Sequence, residues 1–521
     1  MFYTEKRDGF ARLGLLEIDG NRLKTPAMVG EEILDKIDFG KAPYPVKKIM
    51  PEIYERLKPQ GEIEVLTGIS TMSPREIAES FSELRGSKPL FAVACAEPKN
   101  VGLLIYLGAD LVDNIMAVAK AYNGIYFLGD VEIRLEKLKS LPCNCKFCCG
   151  QDLASLDYEE VLEITANHNT EQLRLEVEKC RILIEEENLR NYVEAKAKLH
   201  PELTALLRFS DFEESACFPR FRKSTCYFNA QESLNRFEVR YFLNRIVECY
   251  EPKTKALLLL PCTAKKPYLL SKTHRIIRSV VRVNVNEIII SSPLVVPREF
   301  ELLYPAVNYD TPVTGHWSED EVSFVAKWLQ KLVEKGDFEK IVAHVEGGYR
   351  KVVETALKDY DVIFTAENDI LSEESLKKLK KELEGYEKYE LFEEMFSHAL
   401  RYQFGLEMNG VVKGRYPEIE LFRGERLSRF DPKYGNLDIY SEIAKELLKR
   451  GDYVVKIAEF EPTTTIFCAG VEDADAKIRP NDVVVFSNST HYGVGIARMH
   501  GKEMVTARKG VGVEVRRKYR F

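Results

Sequence analysis

Four consecutive leucines, Leu257–Leu260, run directly into Pro261, Cys262, Lys265, Lys266, Tyr268, Ser271 and His274 within LLLLPCTAKKPYLLSKTH. An apolar run of this kind reads as a buried strand. Open α/β sheets hold their ligands outside the carboxyl ends of such strands. A thiol, two ammonium groups, a phenol, a hydroxyl and an imidazole at fixed offsets just beyond that end therefore constrain both the fold and the place of a site.

The chemistry open to these groups is specific. Ammonium groups on Lys265 and Lys266 beside the thiol of Cys262 favour its thiolate, the form that attacks an electrophilic carbon. An imidazole titrates near neutrality, at about 6.5, so His274 is suited to carry protons in either direction. Ser271 and Tyr268 supply donors for a carboxylate or a developing nitrogen anion.

A chain of 521 residues is too long for one core and implies three or four domains. It has no apolar stretch of about 18 residues that would span a bilayer. Its opening, MFYTEKRDGFARLG, carries charges and aromatics where a secretory leader needs an apolar run. Eleven cysteines, several tightly clustered, suit metal binding and reduced thiols in a cytoplasm better than a disulfide framework. The charged fraction of 30% fits a thermophile. The net charge of −7 does not announce a nucleic-acid binder, but the last 27 residues hold eight Lys/Arg against only Glu503 and Glu514. Phosphate contact at one end of an acidic body requires that asymmetry.

In the first 200 residues, FARLGLLEIDGNRLKTPAMV reads as two strands joined by an Asp19-Gly20 turn. Apolar runs at Leu90–Ala94, Leu103–Tyr106 and Gly124–Leu128 alternate with helical stretches and suggest a β/α barrel. Cys143, Cys145 and Cys148 place three soft thiolates in one loop, with Cys149 as an adjacent competitor, and His168 follows on a helix. A Cys₃His set has no open coordination position and defines a structural zinc site that pins loop to helix.

The A-R-x-G…G…x-T-P-A opening, the cysteine loop followed by His-Asn, and Gly108-x-Asp110-x-x-Asp113 resemble the tRNA-guanine transglycosylases. That resemblance implies a (β/α) barrel in which Asp113 matches the aspartate that attacks the ribose anomeric carbon. The base-gripping D-S-G-G-F-Q segment is absent, and nothing between Met28 and Glu62 resembles it. The G-G-L-x-x-G-E loop that recognises guanine is missing too. The barrel therefore reads as degenerate, with Asp113 a relic or a substrate-orienting group, set against the covalent nucleophile of the family.

The pattern P-C-x-x-x-K-P-Y-x-x-S-x-x-H, followed by SSPLVVPRE, YDTPVTGHW and His344…Gly347-Gly348-Tyr349, is similar to the archaeosine synthase family, itself related to the transglycosylases. The resemblance implies a definite reaction. The amine of free lysine adds to the nitrile of 7-cyano-7-deazaguanine already installed in the tRNA D-arm, and a separate radical SAM lyase partner cleaves the amidine-linked adduct to archaeosine. On this reading Cys262, Lys266, Ser271 and His274 are catalytic, while Pro261, Lys265 and Tyr268 line the substrate. A transient thioimidate on Cys262 and direct attack by the amine both remain open. The resemblance also implies a homodimer through the zinc region.

Toward the C-terminus, Ser372 is an N-cap for a charged helix that links the core to a small α+β domain. Strand patterns from Tyr453 with Gly493-x-Gly495-Ile496-Ala497 and Gly510-x-Gly512 resemble a PUA domain, a small RNA-binding β-barrel. Arg498, Arg508, Lys509, Arg516 and Arg517 are its candidate phosphate contacts. The expected architecture is thus α/β and multidomain: a degenerate barrel with zinc (1–200), an α/β core (201–370), a small α+β domain (371–445) and a PUA barrel (446–521). Base exchange by a transglycosylase and a non-catalytic tRNA-binding scaffold are the competing functions.

Overall fold

The computed structural model describes residues 2–18, 21–29, 63–213, 215–314, 316–367, 369–386 and 389–521. The Asp19-Gly20 turn lies outside them, as does most of the stretch between Met28 and Glu62.

Strands Phe2–Asp8, Ala11–Ile18 and Asn21–Thr25 form an antiparallel sheet that leads into a second, parallel one. In the second sheet the order is Ala27–Val29, Leu111–Asp113, Leu90–Ala92 and Glu64–Leu66, a half-barrel among the described residues. Two of the expected strands are corrected here. Leu103–Tyr106 lies inside the helix Val101–Leu107, every residue of which is buried. A helix apolar on all sides loses the periodicity that would distinguish it from a strand. Ile125–Leu128 is a strand, but it pairs in a hairpin with Val131–Arg134 outside the parallel sheet.

The core domain is a five-stranded sheet ordered Val295–Pro297, Asn286–Ile290, Ala256–Pro261, Lys340–Ala343, Val362–Phe364. All its pairings are parallel except that of Val295–Pro297. The leucine run is its central strand. Leu257 and Leu259 face a cluster with helices Phe237–Cys249, Glu319–Val333 and Gly347–Ala356. Ala256, Leu258 and Leu260 face Ile277, Val281, Leu379 and Leu383 on the opposite side. Burial on both faces is why that strand reads as an unbroken apolar run. The helix Glu373–Glu382, expected as a linker, is instead a layer of this core, held by Leu379 and Leu383.

A four-stranded antiparallel meander, Val411–Arg415 through Asn436–Ile439, packs with helices Leu391–Phe404 and Ser441–Arg450. The last unit is a six-stranded sheet in which His491–Ala497 lies between Val511–Arg520 and Val483–Ser487. A Cβ on Gly493 would stand 2.2 Å from the Arg517 carbonyl oxygen, and one on Gly495 would stand 2.4 Å from Val513. Those glycines permit the close approach of the neighbouring strands His491–Ala497 and Val511–Arg520. One hydrophobic cluster runs from Phe221 through Leu437 to Ile496, so the core, the meander and the last sheet share buried surface.

Candidate catalytic crevice and metal centre

The core sheet reverses direction at one place. From Ala256–Pro261 the chain passes to Asn286–Ile290 on one side, and the later strand Lys340–Ala343 joins on the other. The connecting helices pack on opposite faces. The carboxyl ends of Ala256–Pro261 and Lys340–Ala343 flank this switch point, the usual ligand site of an open α/β sheet. Cys262 leaves the first strand and Tyr349 follows the second. Their Sγ and OH meet across the gap at 3.2 Å.

Around this pair, Trp317 packs edge-on against Tyr349, with centroids 5.2 Å apart. The ammonium of Lys266 sits 4.1 Å from the ring centroid of Tyr309, and burial lowers its pKa. Tyr309 in turn hydrogen-bonds Tyr268 and Ser291. Lys265 is exposed. A cavity of about 420 Å³ opens just beyond Ser291 and Tyr309, lined by Ser292, Thr311, His316, Asp320 and Glu321 among others.

The rest of the motif serves the backbone. Ser271 is an N-cap, its Oγ accepting from the His274 N–H at 3.2 Å. His274 is wholly buried; its Nε2 donates to the Pro261 carbonyl (3.0 Å) and its Nδ1 accepts from Arg298 (2.7 Å). With both nitrogens engaged, the ring has no lone pair or proton to offer a substrate. Burial, then the adjacent Arg298 cation, bring its pKa down to about 3. This corrects the expectation that His274 carries protons. Tyr268 is equally buried, its phenol spent on Tyr309. Arg298 and Tyr349 have no individual signal in the sequence, although both stand in segments, SSPLVVPRE and His344…Tyr349, that mark the core.

Asp113 is buried, and its two carboxylate oxygens accept from the backbone N–H groups of Ala94 (2.9 Å) and Ile115 (3.0 Å). Burial pushes it up to about 6. Asp110 likewise binds Arg12 through both oxygens and the Leu90 N–H. The G-x-D-x-x-D segment thus fastens strands together.

The ligand atoms of Cys143, Cys145, Cys148 and His168 all lie within 4.8 Å of one another, and Cys149 stays exposed outside the group. His168 comes from helix Tyr158–Glu185, whose start is fixed by an Asp157/Glu160 capping box. Its Nε2 donates to the Phe127 carbonyl at 2.7 Å, which turns the Nδ1 lone pair toward the sulfurs of Cys145 and Cys148, at 3.5 and 3.4 Å. Three thiols and an oriented imidazole, with a carbonyl behind it, fit a metal ion.

Two of the residues expected to touch RNA are committed elsewhere. Arg517 makes a bidentate pair with Asp438 (2.7 and 2.6 Å) and stacks on Tyr440, joining the last sheet to the meander. Arg498 pairs with Glu514 on the neighbouring strand. Lys509 reaches Glu17 at 2.7 Å, Arg516 lies 4.0 Å from Asp431, and Arg508 is exposed. Among the described residues no helix is long and apolar enough to cross a membrane.

Family models match along the chain: queuine tRNA-ribosyltransferase over residues 65–202, a domain of unknown function over 239–383, a pre-PUA domain over 389–448 and a PUA domain over 458–519. The chain is 36% identical to the archaeosine synthase of Haloferax volcanii, across 99% of this chain and 98% of that one. It is 37% identical to the archaeosine synthase subunit alpha of Methanosarcina acetivorans, across 88% and 81%. The tRNA-guanine(15) transglycosylase of Methanothermobacter thermautotrophicus is 26% identical, across 85% and 68%. A crystal structure of a protein of unknown function superimposes with a TM-score of 0.50 and 55% identity, covering 54% of this chain and all of that one. This chain belongs to the archaeosine synthase family.

Proposed function

We propose that this protein is a tRNA-modifying transferase that couples free lysine to the nitrile of 7-cyano-7-deazaguanine in the tRNA D-arm, forming an amidine-linked adduct on the path to archaeosine. The observation that carries the reading is the Cys262–Tyr349 pair at the switch point of the core sheet. The lysine amine adds to the nitrile carbon while one of its protons passes to the nitrile nitrogen, so the amidine forms with no leaving group. Tyr349 is placed to donate to that nitrogen, and Cys262 either adds first, as a thioimidate that the amine displaces, or holds the nitrile for direct attack. Lys266 contributes positive charge. Beyond Ser291, Asp320 in the adjoining cavity, held by Gln231 at 2.7 Å, offers a carboxylate to a substrate ammonium. His274, Ser271, Tyr268 and Pro261 position Cys262.

The first 200 residues hold the nucleic acid, and the Cys₃His group takes a structural zinc ion. When bound, zinc supplies no reaction chemistry, because all four positions are filled by the chain. The exposed Tyr122 (58%), Val131 (58%) and Tyr158 (66%) near this group support a dimer through that end. A radical SAM lyase would consume the lysine adduct. Base exchange is disfavoured because Asp113 is tied to two backbone amides.

The test is incubation with nitrile-bearing tRNA and labelled lysine, followed by digestion to nucleosides. A labelled adduct supports the reading. Release of the nitrile base without lysine incorporation, or binding without chemistry, overturns it.

A further inference from the structure

Two segments run from the surroundings of the Cys262–Tyr349 pair into the wall of the cavity of about 420 Å³ beside it. The Cys262 N–H donates to the Ile290 carbonyl at 3.0 Å, so Cys262 stands against the end of strand Asn286–Ile290. Past Ser291, the chain enters the cavity wall with Ser292 and Pro293. Strand Tyr309–Asp310, which carries the ring under the Lys266 ammonium, likewise leads straight to Thr311 and Pro312 in that wall. The remaining sides come from the turn Gln231–Asn235 and the start of helix Glu319–Val333.

The charge of this cavity is one-sided. Among the described residues of its wall there is no lysine or arginine, while Asp320 and Glu321 bring two carboxylates. Glu321 is committed: one oxygen accepts from the Ser318 N–H (2.9 Å) and the other from Ser292 Oγ (2.9 Å). Asp320 accepts from the neutral Nε2 of Gln231 at 2.7 Å and has no cationic partner among the described residues. Helix Glu319–Val333 would favour an anion at its N-terminus, but its first turn already holds Glu319, Asp320 and Glu321. A ligand carboxylate entering here meets like charge with no cation to offset it. A ligand ammonium meets a carboxylate that Gln231 holds in place.

We propose that this cavity reads the second ammonium of the acceptor and not its α-carboxylate, so that the coupling site takes α,ω-alkyl diamines such as cadaverine as well as lysine. The proposal rests on the coupling reading above. Cadaverine is lysine without the carboxylate and keeps both nitrogens at the same spacing. One amine, in its free-base form, bonds through nitrogen to the nitrile carbon. A π bond of the nitrile opens, one amine proton ends on the nitrile nitrogen, and nothing leaves. The other nitrogen stays an ammonium, paired with Asp320.

The test uses the full metal-loaded chain in two arms. Calorimetric titration with lysine and with cadaverine measures binding without any reaction. Labelled-amine transfer to nitrile-bearing tRNA measures coupling, with 6-aminohexanoate, which keeps the carboxylate and lacks the second ammonium, as a further acceptor. Cadaverine is expected to bind within about threefold of lysine, or tighter, and to form its own amidine adduct. 6-Aminohexanoate should need at least about tenfold more for half-maximal coupling. Asp320→Asn, with an unchanged melt, should weaken lysine and cadaverine about tenfold in affinity and in KM, with kcat near wild type and 6-aminohexanoate unmoved. Amine binding in this pattern without any adduct would uphold the cavity and sink the coupling reading. Lysine binding or coupling at least about tenfold better than cadaverine, or an Asp320→Asn variant that holds lysine at wild-type strength, would overturn the proposal with the coupling reading intact.

Discussion

Arg298 donates from Nη2 to Nδ1 of His274 at 2.7 Å, and this one hydrogen bond decides what the most conspicuous histidine of the sequence can do. With Nε2–H already given to the Pro261 carbonyl, the ring is fixed as the neutral Nε2–H tautomer. Arg298 is anchored in turn by Glu287 (2.7 Å) and Glu301 (2.9 Å). The chain of contacts runs from buried carboxylates to the carbonyl immediately before Cys262, so it positions the thiol.

His274 therefore affects stability and its pH dependence. Its folded pKa, about 3, lies below the unfolded value of 6.5. The unfolded chain binds the extra proton between those values, so stability is full above about pH 6.5 and falls as pH drops toward 3. His274→Ala leaves the Arg298 donor and the Pro261 acceptor unpaired, at a cost of about 1–3 kcal/mol each. The expected outcome is a lower melting temperature, with less acid sensitivity between pH 6.5 and 4. Imidazole resonances of the wild type should show no His274 titration above pH 5.

Glu299 gives the opposite slope. It is wholly buried, neither carboxylate oxygen has a hydrogen-bond partner, and burial pushes its pKa up to about 8. The folded state keeps the proton that the unfolded state releases near 4.5, so this contribution is full below pH 4.5 and is lost as pH rises through 8. Between pH 6.5 and 8 the His274 effect is absent. Urea midpoints should decline there in the wild type and stay nearly level in Glu299→Gln.

How much of this was legible follows from range. The leucine strand and the Cys₃His group were readable because their signals are local: an apolar run, and thiols two and three residues apart. Full burial erases the periodicity of helix Val101–Leu107, so its Leu103–Tyr106 run reads as a strand. Ser271 and His274 stood at the right offsets, but whether an offset serves a substrate or a helix cap depends on Arg298, which is 24 residues from His274. Arg517 reads as free charge in the sequence because its partner Asp438 lies 79 positions away.

The metal centre predicts selective sensitivity. Cys143→Ser, Cys148→Ser and His168→Ala should each lower bound zinc, measured by elemental analysis, and loosen the loop against helix Tyr158–Glu185. Cys149→Ser should retain the metal, since that thiol is outside the group. Chelation should lower the melting temperature in the wild type and in Cys149→Ser alike.

The basic residues of the last sheet should divide by experiment. Arg508→Glu should weaken tRNA binding and flatten its dependence on salt, with the fold unchanged. Arg517→Ala should instead cost stability, by about 1–3 kcal/mol, because Asp438 loses its bidentate partner and keeps only Arg429, at 3.1 Å. Filter binding across a salt series and thermal melts separate the two.

Coupling at the Cys262–Tyr349 pair is what remains to be tested at the reaction itself. The most direct measurement is the single-turnover rate of lysine attachment to nitrile-bearing tRNA by Cys262→Ala and Tyr349→Phe, each checked for an unchanged melt and unchanged tRNA affinity. Losses of about a hundredfold or more are expected for Cys262→Ala and of about ten- to a hundredfold for Tyr349→Phe. Wild-type rates in both folded variants would contradict coupling at this pair.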